Sequence, residues 1–130
     1  MRASFIGATN IRCVSTTMNY KQHEQFNKEL GKLGKKYPSL DNDLIEFSNI
    51  ISSYPLGSGR HFHVIHRSKT LCVVKARFFC RYLKGTSMRI VYAYHVPIKY
   101  IEFIEIYFKG DKENEDFERI KQYVKENQTP

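Results

Sequence analysis

Apolar positions in the first third of the chain recur at helical spacing. Phe26, Leu30, Leu33 and Tyr37 stand at i, i+4, i+7 and i+11, the stripe of an amphipathic helix. The pattern predicts a helix over 21–36. Lys32, Lys35 and Lys36 suit the negative end of its dipole, while Gly31 and Gly34 each weaken it by about 1 kcal/mol relative to alanine. Pro38 ends it, because the ring cannot donate to the helical ladder. Ser39 is placed to cap a second helix, with Asp41 and Asp43 in its first turn. Leu40, Leu44, Phe47 and Ile51 repeat the spacing until Tyr54-Pro55-Leu56-Gly57 stops it. Two such helices joined at a Tyr-Pro-Ser corner predict an antiparallel hairpin.

After Gly59 the period changes to two. Residues 61–66 and 70–77 predict strands joined by a Ser68-Lys69 turn, and 82–87 reads as a loop. A strand over 89–94 follows, then a turn at Pro97. Residues 100–108 form the longest β-rich run and predict a central strand. Lys109-Gly110-Asp111-Lys112 breaks it. A closing helix over 116–126 should turn Phe117, Ile120 and Val124 inward. This order predicts an α+β domain: an N-terminal helical hairpin and a C-terminal helix on one face of a mostly antiparallel sheet of four to five strands. Residues 1–17 are Ser/Thr/Asn-rich without periodicity. They read as an extension ahead of a domain over 18–130, or as a stretch upstream of a true start at Met18.

Length and charge narrow the function. One core fits 130 residues, and no apolar run approaches the roughly 18 residues that span a bilayer. The start has no continuous apolar signal core, so a cytoplasmic protein without membrane contact is expected. Cys13, Cys72 and Cys80 are odd in number and form no CxxC pair, which favours reduced thiols. The net charge is +8. Between Phe47 and Ile101 there is no Asp or Glu, yet Arg60, Arg67, Lys69, Lys75, Arg77, Arg81, Lys84, Arg89 and Lys99 all fall there. An acid-free block of this length suits a phosphate-rich partner; a solvated basic face, or one for an acidic protein, is the alternative. Period two places Lys75 and Arg77 on one strand face. It also pairs His61 with His63, a spacing some zinc sites use. No Cys, Asp or Glu lies near them in sequence, and no metal site is expected. Tyr92, Tyr94 and Tyr100 alternate with apolar residues and read as packing.

The same residues carry a family resemblance. Phe26-Asn27-Lys28-Glu29-Leu30 through Lys35-Lys36-Tyr37-Pro38-Ser39-Leu40-Asp41-Asn42-Asp43-Leu44 resembles the helical hairpin of RelE/ParE-superfamily toxins. Val74-Lys75-Ala76-Arg77 is similar to their K-x-R strand. Arg89-Ile90-Val91-Tyr92, after the Lys84-Gly85 loop, is similar to their R-x-x-Y strand. Ile106-Tyr107-Phe108-Lys109-Gly110-Asp111-Lys112-Glu113-Asn114 is similar to the last strand and the K-x-x-K-E-N turn. The match runs over 18–124.

The resemblance implies a microbial-RNase-like fold and a toxin that enters the ribosomal A site and cuts mRNA. It implies a cognate antitoxin, a monomeric free toxin and no cofactor. Metal-free RNA cleavage needs a base for the 2′-OH, cations for the phosphorane and an acid for the leaving oxygen. The family resembled uses basic residues, since crowded like charges can make a neutral lysine available. Carried over, Lys75 serves as base or phosphate contact and Arg77 keeps the strand's second basic position. Arg89 stabilises the phosphorane, and Lys109 stands where the prototype has a transition-state arginine. The prototype's earlier strand lysine is Val73 here. Its C-terminal tyrosine acid has no counterpart, leaving Tyr107, Tyr123 or Glu115 as substitutes. Arg81, Lys84 and Lys112 would bind RNA backbone. Two rival readings share the scaffold: a ParE-like inhibitor of gyrase, and a degenerate antitoxin-binding relative without catalysis.

Overall fold

The structure, a computed structural model, describes residues 18–127; the expected N-terminal extension and Cys13 lie outside them. Nine elements follow in order: β1 (Asn19–Gln22), α1 (Glu24–Lys36), α2 (Leu40–Ser53), β2 (Phe62–Arg67), β3 (Leu71–Cys80), β4 (Gly85–His95), a 3-10 turn (Val96–Ile98), β5 (Tyr100–Phe108) and α3 (Phe117–Asn127). The five strands form one sheet in the order β1-β5-β4-β3-β2. β1 runs parallel to β5 and the other pairs are antiparallel. The α+β layout is as expected, with four differences.

First, residues 19–22 enter the sheet, so the first helix starts at Glu24. His23 caps it, its Nδ1 accepting the Gln25 amide at 3.2 Å. Second, the long run over 100–108 lies one strand from the edge, and β4 is central. Both of its faces are covered, so Ile101 through Tyr107 are buried, Glu102 and Glu105 included. Third, Ser39 stands at the N-cap of α2 but makes no capping bond from its side chain. Its hydroxyl donates to Asp43 at 2.6 Å and accepts the Tyr82 amide at 2.9 Å, fastening the β3–β4 turn to the hairpin.

The fourth difference decides the shape of the site. The helices do not share one face. α1 and α2 pack on Val74, Ala76, Phe78, Met88, Ile90, Tyr92, Ile101, Phe103 and Ile106. α3 covers the opposite face through Ile120 and Tyr123, against Leu71, Val73, Val91, Ala93 and Ile104. Strand alternation makes that second apolar patch and something must bury it. Phe117, expected inward, is 62% exposed. Tyr123 takes the inner position because its hydroxyl finds partners there: it donates to Glu102 at 2.9 Å and meets His95 Nε2 at 2.7 Å. Val124 packs at the margin. α3 occupies only part of its face and leaves the ends of β2, β3 and β4 uncovered.

Beyond Phe103 the outer edge of β5 has no strand partner, since β1 reaches only that far. A side-chain pair closes the edge. Arg119 Nη1 donates to the Ile104 carbonyl at 2.8 Å, Glu29 accepts the Ile106 amide at 3.3 Å, and Arg119 and Glu29 bond each other at 3.1 and 2.6 Å. Backbone groups at a buried edge need such partners. The same pair ties α3 to α1.

Candidate active site

Alternation along β3 sends Val74, Ala76 and Phe78 into the hairpin core and Lys75 and Arg77 to the other face. The register then aligns their neighbours. His63 lies opposite Lys75, Arg77 opposite Arg89, and Arg89 opposite Tyr107. His61, one residue ahead of β2, continues the ladder, its carbonyl accepting the Arg77 amide at 2.9 Å. Lys109 follows β5 and is held beside β4 by its amide, which donates to the Ser87 carbonyl at 2.8 Å. A cleft of about 270 Å³ opens between these groups, lined by Arg60, His61, His63, Lys75, Ala76, Arg77, Arg89 and Lys109.

Five cations and two histidines thus face one small space. Among the described residues one carboxylate pairs with them. Glu115, on the segment between β5 and α3, accepts from Lys75 Nζ at 2.8 Å, with side chains 9% and 24% exposed. Burial pushes the Glu115 carboxyl up, but the hydrogen bond and charge of Lys75, together with His63, outweigh it and hold the group below the usual carboxylate range. Among the described residues Arg60, Arg77, Arg89 and Lys109 have no carboxylate partner. Arg89 Nη1 is fixed on the carbonyls of Thr86 and Met88 at 2.7 and 3.1 Å, and Lys109 Nζ on that of Glu113 at 2.9 Å. These bonds orient the cations without neutralising them. Such a site attracts an anion and, with its donors already aimed, loses little in reorganising around it.

Of the positions expected from sequence, Lys75, Arg77, Arg89 and Lys109 line the cleft. The others do not. Tyr107 sits beside Arg89 in register, but its hydroxyl is buried without a hydrogen-bond partner among the described residues. Burial, then the charges of Glu115 and Glu105, push this phenol up to about 12 against the pull of Arg89. Lys112 pairs with Glu105 and covers the Tyr107 ring at 5.2 Å. Arg81 turns to the hairpin side, where it forks onto Glu46 at 2.9 and 2.8 Å and its amide bonds Asp43. Lys84 is exposed in the β3–β4 turn at φ 55°. Tyr123 is occupied at the Glu102–His95 end.

The sequence reading counted Arg60 only within the acid-free block and paired His61 with His63 without giving either a role in catalysis. Their signal was the alternation on β2, which becomes informative only once β2 is registered against β3. Among the described residues no group of three or more His, Cys, Asp or Glu is placed to hold a metal ion, and Cys72 and Cys80 are buried free thiols. No described helix is long and apolar enough to cross a membrane.

Neither a protein-family model nor a curated protein matches the chain. Among solved structures it is similar to the crystal structure of an archaeal RelE–RelB complex from Pyrococcus horikoshii OT3. The TM-score is 0.56 at 21% identity, over 72% of this chain and 97% of that one. The chain has a RelE-like fold.

Proposed function

We propose that the chain is the toxin of a toxin–antitoxin pair, an endoribonuclease that cuts ribosome-bound mRNA without a metal. One observation carries the reading: Lys75, Arg77, Arg89 and Lys109, brought from two strands and the segment after a third, surround one cleft, and of these only Lys75 has a carboxylate partner among the described residues. A surface evolved for solubility has no reason to gather like charges, which repel at this range. A scissile phosphate supplies what the cleft lacks. Arg77 and Arg89 would hold two of its oxygens in forked bonds, and Lys109 would face the charge that grows as the 2′-oxygen attacks. Lys75, already committed to Glu115, contacts phosphate rather than serving as the base. Tyr107, buried and protonated, would sit beside Arg89 and stay out of proton transfer.

The fold similarity to the RelE of a RelE–RelB complex supports an antitoxin that covers the toxin. The ribosome would supply the mRNA, presented in its A site with the backbone ordered for in-line attack. A fold-only relative that inhibits gyrase would need a protein-binding surface, and four converging cations are not required for that. The test adds the purified chain to mRNA with and without translating ribosomes. Fragments with 2′,3′-cyclic phosphate and 5′-hydroxyl ends, formed only with ribosomes, support the reading. Intact mRNA together with blocked supercoiling would transfer the chain to the gyrase class.

A further inference from the structure

Transesterification at a 2′-OH requires two proton transfers, one on each side of phosphorus. The cleft's cations are poorly suited to both. Arginine does not release its proton. Lys75 is held by Glu115 and Lys109 by the Glu113 carbonyl, and the Tyr107 hydroxyl is buried. His61 and His63 remain. Both are exposed and both line the cleft. They lie two residues apart on one face, so their Cα atoms are separated by about 7 Å, enough for the rings to flank a phosphate group. Arg77 adjoins His61 and Lys75 adjoins His63 across the ladder, so the groups that would hold the phosphate stand between the two rings and β4.

We propose that His61 and His63 form the proton-transfer pair of this cleft, an assignment that rests on the ribonuclease reading. The charged groups facing them settle which does what. His61 has cations around it, Arg60 beside it and Arg77 across the ladder. His63 faces Lys75 and also Glu115, whose carboxyl, on the β5–α3 segment, is coupled by charge to it. Arg89 and Lys109 close the far wall. His61 is therefore the acceptor and His63 the donor. The neutral His61 ring takes the 2′-OH proton while that oxygen's electron pair forms the new O–P bond. The P–O5′ bond breaks, its pair departs on O5′, and His63 delivers its proton there. The products are a 2′,3′-cyclic phosphate and a 5′-hydroxyl. His61 is left protonated and His63 neutral, and exchange with water restores both without any further reactant.

The experiment measures single-turnover cleavage of ribosome-bound mRNA by the full chain, in chelator, across pH 5–9, for the wild type, His61→Gln and His63→Gln. Binding is read in parallel with a 2′-deoxy mRNA that cannot be cut. The expected wild-type profile is bell-shaped, because histidine titrates in this range. His61→Gln should lose the acid-side limb and His63→Gln the alkaline limb, each with a rate loss of about 100-fold or more and with binding unchanged. Added imidazole should restore part of the rate to His61→Ala, which separates chemistry from folding. If the wild type cleaves while either variant keeps both limbs, or if the loss lies in binding alone, the histidine assignment is overturned and the ribonuclease reading stands. A wild type that never cuts overturns both.

Discussion

Arg77 and Arg89 face each other across two strands with no carboxylate between them. Like charges directly opposite on a sheet are destabilising, so each arginine is held in place at a cost that binding of an anion removes. Arg77→Ala should therefore leave the melting temperature unchanged or higher, while cleavage falls about 100- to 1000-fold. Lys75→Ala and Arg89→Ala should likewise abolish toxicity in a chain that stays folded, as read by growth after induction and by circular dichroism. Tyr107 gives the opposite kind of prediction. Its buried hydroxyl has no partner among the described residues, and an unmade hydrogen bond of this kind costs about 1–3 kcal/mol. Tyr107→Phe should raise stability by about 1 kcal/mol in urea melts and leave cleavage intact; a large loss of rate would return the phenol to the chemistry. Glu115 titrates below its ordinary value of 4.5 when folded. A depressed carboxyl contributes stability that is present above the unfolded value and is lost as pH falls through the folded one. Glu115→Gln should flatten the wild type's stability loss below about pH 4.5. At this scale alternation sufficed to put Lys75 and Arg77 on one face, while Arg89 and Lys109 came from the resemblance. His61 and His63 were seen as a pair but not placed, because a partner strand had to be known first.

Among the elements, α3 was foreseen in position and length and its face in part: Ile120 turns inward and Val124 packs at the margin, but Phe117 is exposed and Tyr123 takes the inner place. Helical spacing permits Phe117 or Tyr123 to turn inward, and the hydrophobic count favours Phe117. The buried acceptor Glu102 reverses this, since a carboxylate in the core needs a donor and only a hydroxyl-bearing ring brings one. Tyr123→Phe should destabilise by about 1–3 kcal/mol, more than its loss of one atom suggests. An unchanged urea midpoint would show that water replaces the hydroxyl. β1 escaped notice because four residues reading Asn-Tyr-Lys-Gln carry no apolar alternation; its place comes from pairing with β5 and not from its own pattern. The β2–β5 strands and the α1–α2 hairpin were legible to within a few residues because their periodicity and turn residues agree with their packing.

Over the whole molecule, the acid-free stretch maps onto β2, β3 and β4, and the acids that reach the cleft side of the sheet arrive from β5 and the segment after it. The charge imbalance seen in one dimension thus becomes a basic face in three. Burial also raises the phenols of Tyr20, Tyr92, Tyr100, Tyr107 and Tyr123. A raised folded value means that the native state keeps protons that the unfolded chain releases, so stability should fall as pH climbs above about 10, which thermal melts from pH 8 to 11 would follow. If the cations of β3 and β4 hold a scissile phosphate, cleavage of ribosome-bound mRNA by the wild type and by Arg77→Ala/Arg89→Ala must differ. The expected outcome is cut mRNA with cyclic-phosphate ends in the first and intact mRNA in the second, with equal folding; a double variant that cuts at the wild-type rate would take the phosphate away from these cations.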